Sequence, residues 1–297
     1  MTLDPILNVF KSWVCGVLKG WPGRASALRV GRVTLSHDLA GTGPSTVVLL
    51  HSGVCDRRMW DGQFAALAAA GHRVVRCDLR GFGDSPLDAP HTHAEDVRAL
   101  LDHLGAERAA VVGSSFGGRV ALELAALHPG RVSALALLAS GIPGMAPSAE
   151  LRAWGAREDA LLEAGDLDAA VELNVDTWLG PEAGEAARAL VRDGQRRAFD
   201  LQLAAPEENH PVAPEVTRED LAGIRAPALV ASGAHDLADF RAVADELGGL
   251  LPAARRIDLD WAGHLPALER PDETARLLVD FLAEAQISAL SPGVSAR

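Results

Sequence analysis

The run Gly113-Ser114-Ser115-Phe116-Gly117-Gly118 has the spacing of a serine nucleophile held on a tight turn. An apolar stretch, Ala109 to Gly113, precedes it, and an Ala- and Leu-rich stretch, Phe116 to Leu127, follows. The glycines let the chain turn sharply and let a strand and a helix approach closely. Such a turn lifts the Ser115 hydroxyl above a sheet and sets the free N–H groups of a helix start beside it. The plainer reading is a Gly-Ser-rich turn and helix cap, and Ser114 fits that role.

A serine hydroxyl is a poor nucleophile until a base takes its proton. His264 is the candidate, in the loop Asp260-Trp261-Ala262-Gly263-His264 after the apolar-patterned run Arg255 to Leu259. The base in turn needs a carboxylate to hold its tautomer and stabilise the imidazolium. Asp236 follows the run Ala228 to Ala231 through Ser232-Gly233-Ala234-His235, with Asp239 as the alternative. The chain order Ser, Asp, His matches one class of serine hydrolase and not the other serine-protease orders. Acyl transfer also needs N–H donors for the developing oxyanion. The Phe116 N–H is one; Gly53, in the loop His51-Ser52-Gly53, is the second choice, with Val54 if the register slips. His51 reads as structural. Asp78 and Arg80 are expected to pair in a loop buttressing this end.

These residues must be brought together by alternating strands and helices. Strands are expected over Val33–Leu39, Val47–Leu50, Arg73–Cys77, Ala109–Gly113, Val132–Leu138, Ala228–Ala231 and Arg255–Leu259. Helices are expected over Trp60–Ala70, Ala94–Leu104, Phe116–Leu127, Phe240–Leu247 and Glu273–Leu282. The alternation implies a mostly parallel sheet covered by helices. It stops over residues 142–222, where only helical patterns appear, at Glu150–Ala164, Leu167–Trp178 and Glu182–Leu203. The expected organisation is an amphipathic segment at 1–27, a core at 28–141, a helical insertion at 142–222, a second core part at 223–285 and a tail at 286–297. The insertion should overlie the catalytic residues. Val54, Met145, Trp154, Trp178 and Phe199 are candidates for an apolar substrate pocket, with ordinary packing as the alternative for each.

Composition narrows the function classes. A net charge of -12 over 297 residues, with scattered arginines, argues against nucleic-acid binding. Cys15, Cys55 and Cys77 form no metal-ligand run, and Cys77 reads as a buried residue at a strand end. No metal or organic cofactor is implied. Residues 5–19 carry an apolar helical face suited to the protein body, a second subunit or a membrane surface. A cytoplasmic protein, monomeric or homodimeric, is expected.

The chain resembles the α/β-hydrolase superfamily over about residues 28–285, and within it the small bacterial serine hydrolases similar to 3-oxoadipate enol-lactonase. The resemblance rests on Leu50-His51-Ser52-Gly53 with Met59-Trp60-Asp61, on Asp78-Leu79-Arg80-Gly81-Phe82-Gly83-Asp84-Ser85 and on the Ser115 motif. It continues in Gly233-Ala234-His235-Asp236 and in Gly263-His264 with Glu269-Arg270-Pro271. It implies the α/β-hydrolase fold, with a helical cap inserted after the sixth strand. It also implies a Ser115–His264–Asp236 triad with oxyanion donors at Phe116 and Gly53. Many relatives read His-Gly in the oxyanion loop; here Ser52 intervenes. The expected reaction is cleavage of a small carboxylic ester or lactone through an acyl-enzyme. Carbon–carbon hydrolysis of ring-cleavage diketones, perhydrolysis, or ligand binding on a retained fold are the alternatives.

Overall fold

The computed structural model describes residues 35–290, those beyond Ile287 by backbone alone. The expected N-terminal amphipathic segment, Cys15 and the last residues of the tail lie outside that range. The strands are β1 (His37–Ala40), β2 (Thr46–Leu50), β3 (Arg73–Cys77), β4 (Ala109–Ser114), β5 (Val132–Leu138), β6 (Ala228–Gly233) and β7 (Ala254–Leu259). They form one sheet in the order β1-β3-β2-β4-β5-β6-β7. Among these described strands, only the β1–β3 pair is antiparallel.

Burial follows position in the sheet. The central strands β2 and β4 are buried along their whole length, which is why they read as unbroken apolar runs. The edge strand β7 carries Arg255, Arg256 and Asp258, is nowhere fully buried, and exposes Arg255 and Asp258.

The helices are α1 (Asp61–Ala69), α2 (His93–His103), α3 (Phe116–Leu127), α4 (Ala149–Glu163), α5 (Leu167–Trp178), α6 (Glu185–Ala204), α7 (Arg218–Ala222), α8 (Ala238–Leu250), α9 (Pro266–Glu269) and α10 (Pro271–Leu290). One set packs through α1 against α10; another runs from α2 through α3 and α7 to α8. The helix α3 is buried from Phe116 to Ala125, as expected for a helix laid on the sheet centre. Side-chain caps start several helices: Thr92 for α2, Ser148 for α4 and Asp166 for α5.

Between β5 and β6 the chain forms α4 to α7 and adds no strand to the sheet. Among the described residues, five strands precede this helical segment. Small differences from expectation have local causes. Arg57–Trp60 forms a separate 3-10 turn, capped by Asp56, before α1. The short α7 is too brief for a periodic signal, although Thr217 and Asp220 form a capping box at its start. The last helix continues to Leu290, so residues 286–290 are helical within the stretch expected as a tail. No described helix is long and apolar enough to cross a membrane.

The strand order reverses at β2. The chain passes from β2 to β3 on one side, then crosses to β4 on the other. The loops after β2 and β4 leave the sheet at this switch point, where open α/β sheets bind their ligands. The loops after β6 and β7 emerge at the same carboxyl edge.

Candidate active site

The turn after β4 is strained. Ser115 has φ 51 and ψ -111, a left-handed φ that side-chain-bearing residues rarely adopt. Hydrogen bonds hold it there. The Ser115 N–H donates to the Leu138 carbonyl at 2.9 Å, and its own carbonyl accepts from Arg119 at 3.1 Å and Gly141 at 3.0 Å. Two glycines make the approach possible. A Cβ on Gly117 would overlap the Leu50 and His51 carbonyls, and one on Gly113 would overlap the first turn of α3. The strand, the turn and the helix therefore fit only with glycine at both places.

The loops after β6 and β7 are joined along their length. The N–H groups of Ala234 and His235 donate to the carbonyls of Leu259 and Ala262 at 2.9 Å each. Gly233 lies so close to the backbone of Ala262 and Gly263 that no side chain fits. Asp236 and His264 are delivered from these paired loops. His264 Nδ1 lies 2.8 Å from Asp236 Oδ2, and His264 Nε2 lies 2.7 Å from Ser115 Oγ. All three residues are buried. The second Asp236 oxygen accepts from the Leu237 N–H at 2.7 Å, which fixes the carboxylate plane. A carboxylate on Nδ1 makes that nitrogen the donor and leaves Nε2 free to take the Ser115 proton. Asp239 does not reach His264; it accepts from the Ser148 N–H and hydroxyl, both at 2.7 Å.

The imidazole is boxed by groups brought to it from other elements. Trp178 and Phe240 hold ring contacts with His264 at centroid distances of 4.7 and 4.3 Å. The Trp178 carbonyl accepts from the His264 N–H at 3.3 Å. Behind the base, buried Glu269 accepts from the N–H groups on either side of it, Gly263 at 2.8 Å and Leu265 at 3.1 Å. Burial raises the Glu269 pKa, and these backbone donors, with that of Gly180, pull it back. Trp178 is itself held from within the helical segment. Its indole N–H donates to Asn174 Oδ1 at 2.8 Å, and the Asn174 amide donates to buried Glu158 at 2.5 Å.

The remaining candidate residues are scattered around this centre. Gly53 sits in the buried turn after β2, closed by a Cys55 N–H to Ser52 carbonyl bond of 3.0 Å. Val54 and Phe199 are buried, and Gly194 of α6 packs against Val54 and Cys55. Met145 lines a groove of about 480 Å³ with Ile142 and Val243. Trp154 meets Trp178 edge-on at 4.9 Å and donates to Thr177. His51 has a structural arrangement: its Nδ1 faces the Ser52 carbonyl at 2.8 Å and its Nε2 accepts from the Leu79 N–H at 3.0 Å. Burial lowers its pKa, in keeping with a neutral ring. The expected Asp78–Arg80 pair does not form. Asp78 pairs with Arg57, while Arg80 pairs with Asp96 and Asp88 at 2.7 Å each. Cys55 and Cys77 are buried and free, and desolvation raises both thiols.

Known proteins resemble this chain over most of its length. The family model for the alpha/beta hydrolase fold matches residues 45–271. The carbamate hydrolase RutD of Variovorax paradoxus (strain S110), so named provisionally, is 32% identical over 88% of this chain and 99% of its own. The 2-hydroxymuconate semialdehyde hydrolase of Pseudomonas putida is 29% identical, over 87% of this chain and 93% of its own. Among solved structures, the enol-lactonase from Burkholderia xenovorans LB400 superposes with a TM-score of 0.68 at 30% identity, covering 84% of this chain and 96% of that one.

Proposed function

This chain belongs to the α/β-hydrolase family, and from that premise we propose that it is a serine hydrolase of small carboxylic esters or lactones. The reading rests on one observation, the unbroken contact from Asp236 Oδ2 through both His264 nitrogens to Ser115 Oγ. His264 takes the Ser115 proton as the hydroxyl oxygen attacks the substrate carbonyl. The N–H groups of Phe116 and Gly53 hold the resulting oxyanion. His264 then protonates the leaving alkoxide, and an acyl-enzyme remains on Ser115. Water, deprotonated by His264, attacks the acyl carbon; collapse returns the proton to Ser115 Oγ and releases the acid. Asp236 stabilises the imidazolium formed in each half-reaction.

Residues 142–222 act as a cap in this scheme. Trp178, Trp154, Met145, Val54 and Phe199 belong to its apolar pocket wall, which favours a small acyl group. We place the protein in the cytoplasm, as a monomer or homodimer. The similarity to the enol-lactonase supports the ester or lactone class. The similarity to the semialdehyde hydrolase supports a second reading, carbon–carbon cleavage with the same three residues.

A fluorophosphonate probe followed by peptide mass spectrometry tests the nucleophile. Label on Ser115, lost in Ser115→Ala, is expected. Folded protein left unlabelled at Ser115 would overturn the assignment. A panel of esters, lactones and diketones then separates the classes: turnover of diketones alone favours the second reading. Tight binding without turnover favours a ligand-binding role.

A further inference from the structure

A second cluster of chemically able side chains lies behind the nucleophile turn, in His91-Thr92-His93-Ala94-Glu95-Asp96. Thr92 caps α2 in an extended conformation, φ -122 and ψ 133. An extended residue sends its two neighbours' side chains to the same side, so His91 and His93 converge. Asp96 follows His93 by three residues on the first turn of α2 and shares its face. Ligand-capable atoms of the three all lie within 4.8 Å of one another.

Each imidazole keeps one buried nitrogen that no hydrogen bond of normal geometry from the described residues reaches, although the Asn209 backbone lies close enough to act on His91. His91 and His93 are 4% and 6% exposed. Nε2 of His91 and Nδ1 of His93 are buried without a hydrogen-bond partner. Native proteins seldom leave such atoms unpaired, and a coordinated ion is one way of satisfying them. The Nδ1 of His91 faces the Ala89 carbonyl at 3.1 Å. A carbonyl only accepts, so Nδ1 carries the proton and Nε2 presents a lone pair.

We propose that His91, His93 and Asp96 bind a divalent cation of the zinc class. Two imidazole nitrogens and one carboxylate oxygen suit zinc, cobalt or nickel, and not the oxygen-seeking magnesium or calcium. Bonds of about 2.0–2.2 Å around a tetrahedral ion place ligand atoms roughly 3.3 Å apart. Side-chain movements of about an ångström close the present set to that spacing, with water as the fourth ligand. Asp96 is also held by Arg80, which donates from Nε to Oδ2 at 2.7 Å and from Nη2 to Oδ1 at 3.3 Å. Each carboxylate oxygen has two lone pairs, so the oxygen facing the ion can keep both partners. Arg80 and Arg119 both lie near enough to act on His93, and each is partly neutralised by a carboxylate, Arg80 by Asp88 and Arg119 by Glu123. Asp96 and Arg80 reach the surface at 15% and 10% side-chain exposure, which leaves an entry path. The His93 ring meets Phe116 edge-on at 5.0 Å. A bound ion would therefore pin the start of α2 against the residue next to Ser115.

Isothermal titration of the untagged, chelator-treated full chain with zinc chloride tests this, with cobalt(II) absorption as a second readout of the coordination sphere. One equivalent is expected for the wild type. His91→Gln and His93→Ala should each weaken binding more than about 100-fold, since loss of even an outer-shell partner costs roughly 10–100-fold. Circular dichroism checks the fold of each variant. His91 lies in the loop before the helix, so H91Q carries the test if H93A does not fold. No uptake by the wild type, or equal uptake by a folded variant, would overturn the proposal. The outcome is independent of whether the protein hydrolyses esters.

Discussion

Replacing Glu158 with glutamine should remove a pH dependence of stability that the wild type carries near neutrality. Glu158 sits on α4 with its carboxyl buried against Asn174 of α5. Desolvation raises its pKa from the ordinary 4.5 to about 7; the Asn174 hydrogen bond opposes the rise and neighbouring Asp159 adds to it. Between those two values the folded protein keeps a proton that the unfolded chain has released. Unfolding then releases protons, so stability falls as pH rises across that window and levels off above it. At about 1.4 kcal/mol per pH unit, the gap amounts to about 3 kcal/mol. Glutamine mimics the protonated acid and still accepts from the Asn174 amide, so Glu158→Gln should lack this loss. Urea denaturation of both proteins at half-unit steps from about pH 4.5 to 8 is the assay. The variant should gain on the wild type steadily through the window and remain more stable by about 3 kcal/mol above it. Stability curves that stay parallel from acid to neutral pH would refute the assignment of a buried, proton-retaining carboxyl.

Three further outcomes follow from the site. Asp236→Asn should lower kcat by about 10⁴-fold while the fold survives, because the amide can donate to Nδ1 and favour the wrong tautomer; steady-state kinetics on an activated ester measures it. Glu269→Gln turns one of two acceptors toward a backbone N–H as a donor, which should cost about 1–3 kcal/mol of stability. The looser base should also lower kcat by roughly 100-fold, with KM the lesser change; unaltered kcat in a destabilised variant would separate structure from positioning. Gly117→Ala forces a methyl into the Leu50 and His51 carbonyls and should cost more than about 3 kcal/mol, seen as a lowered denaturation midpoint or loss of soluble protein.

Some parts of this arrangement are legible in the sequence and others are not. Ser115 is legible because its strand, turn and helix are contiguous, and the glycines that permit the turn lie beside it. Asp236 and His264 follow from chain order, since parallel strands deliver successive loops to one edge. Phe240, Asn174 and Glu269 are not legible as site residues. Each acts through a partner made adjacent only by tertiary packing, and a phenylalanine near the start of an amphipathic helix reads as core. Glu269 has a local signal, its place five residues after His264 in the resemblance, but nothing there says which N–H groups it accepts from. Asp78 shows the reverse error: sequence proximity favours Arg80, while the 3-10 turn after β2 brings Arg57 to it. The paired imidazoles at 91 and 93 do not stand out in the sequence because neither follows a sheet strand directly.

The bond from the His264 N–H to the Trp178 carbonyl bears on traffic through the site. It fastens the far end of α5 to the loop that carries the base, and Gly180 is wedged against Gly263 just beyond it. If the helical segment acts as the proposed cap, this anchor keeps it from hinging open at that end without dragging the imidazole off the serine. On the proposed function, ligand exchange then proceeds from the opposite rim, or else breaks the His264–Ser115 contact each time the door is opened.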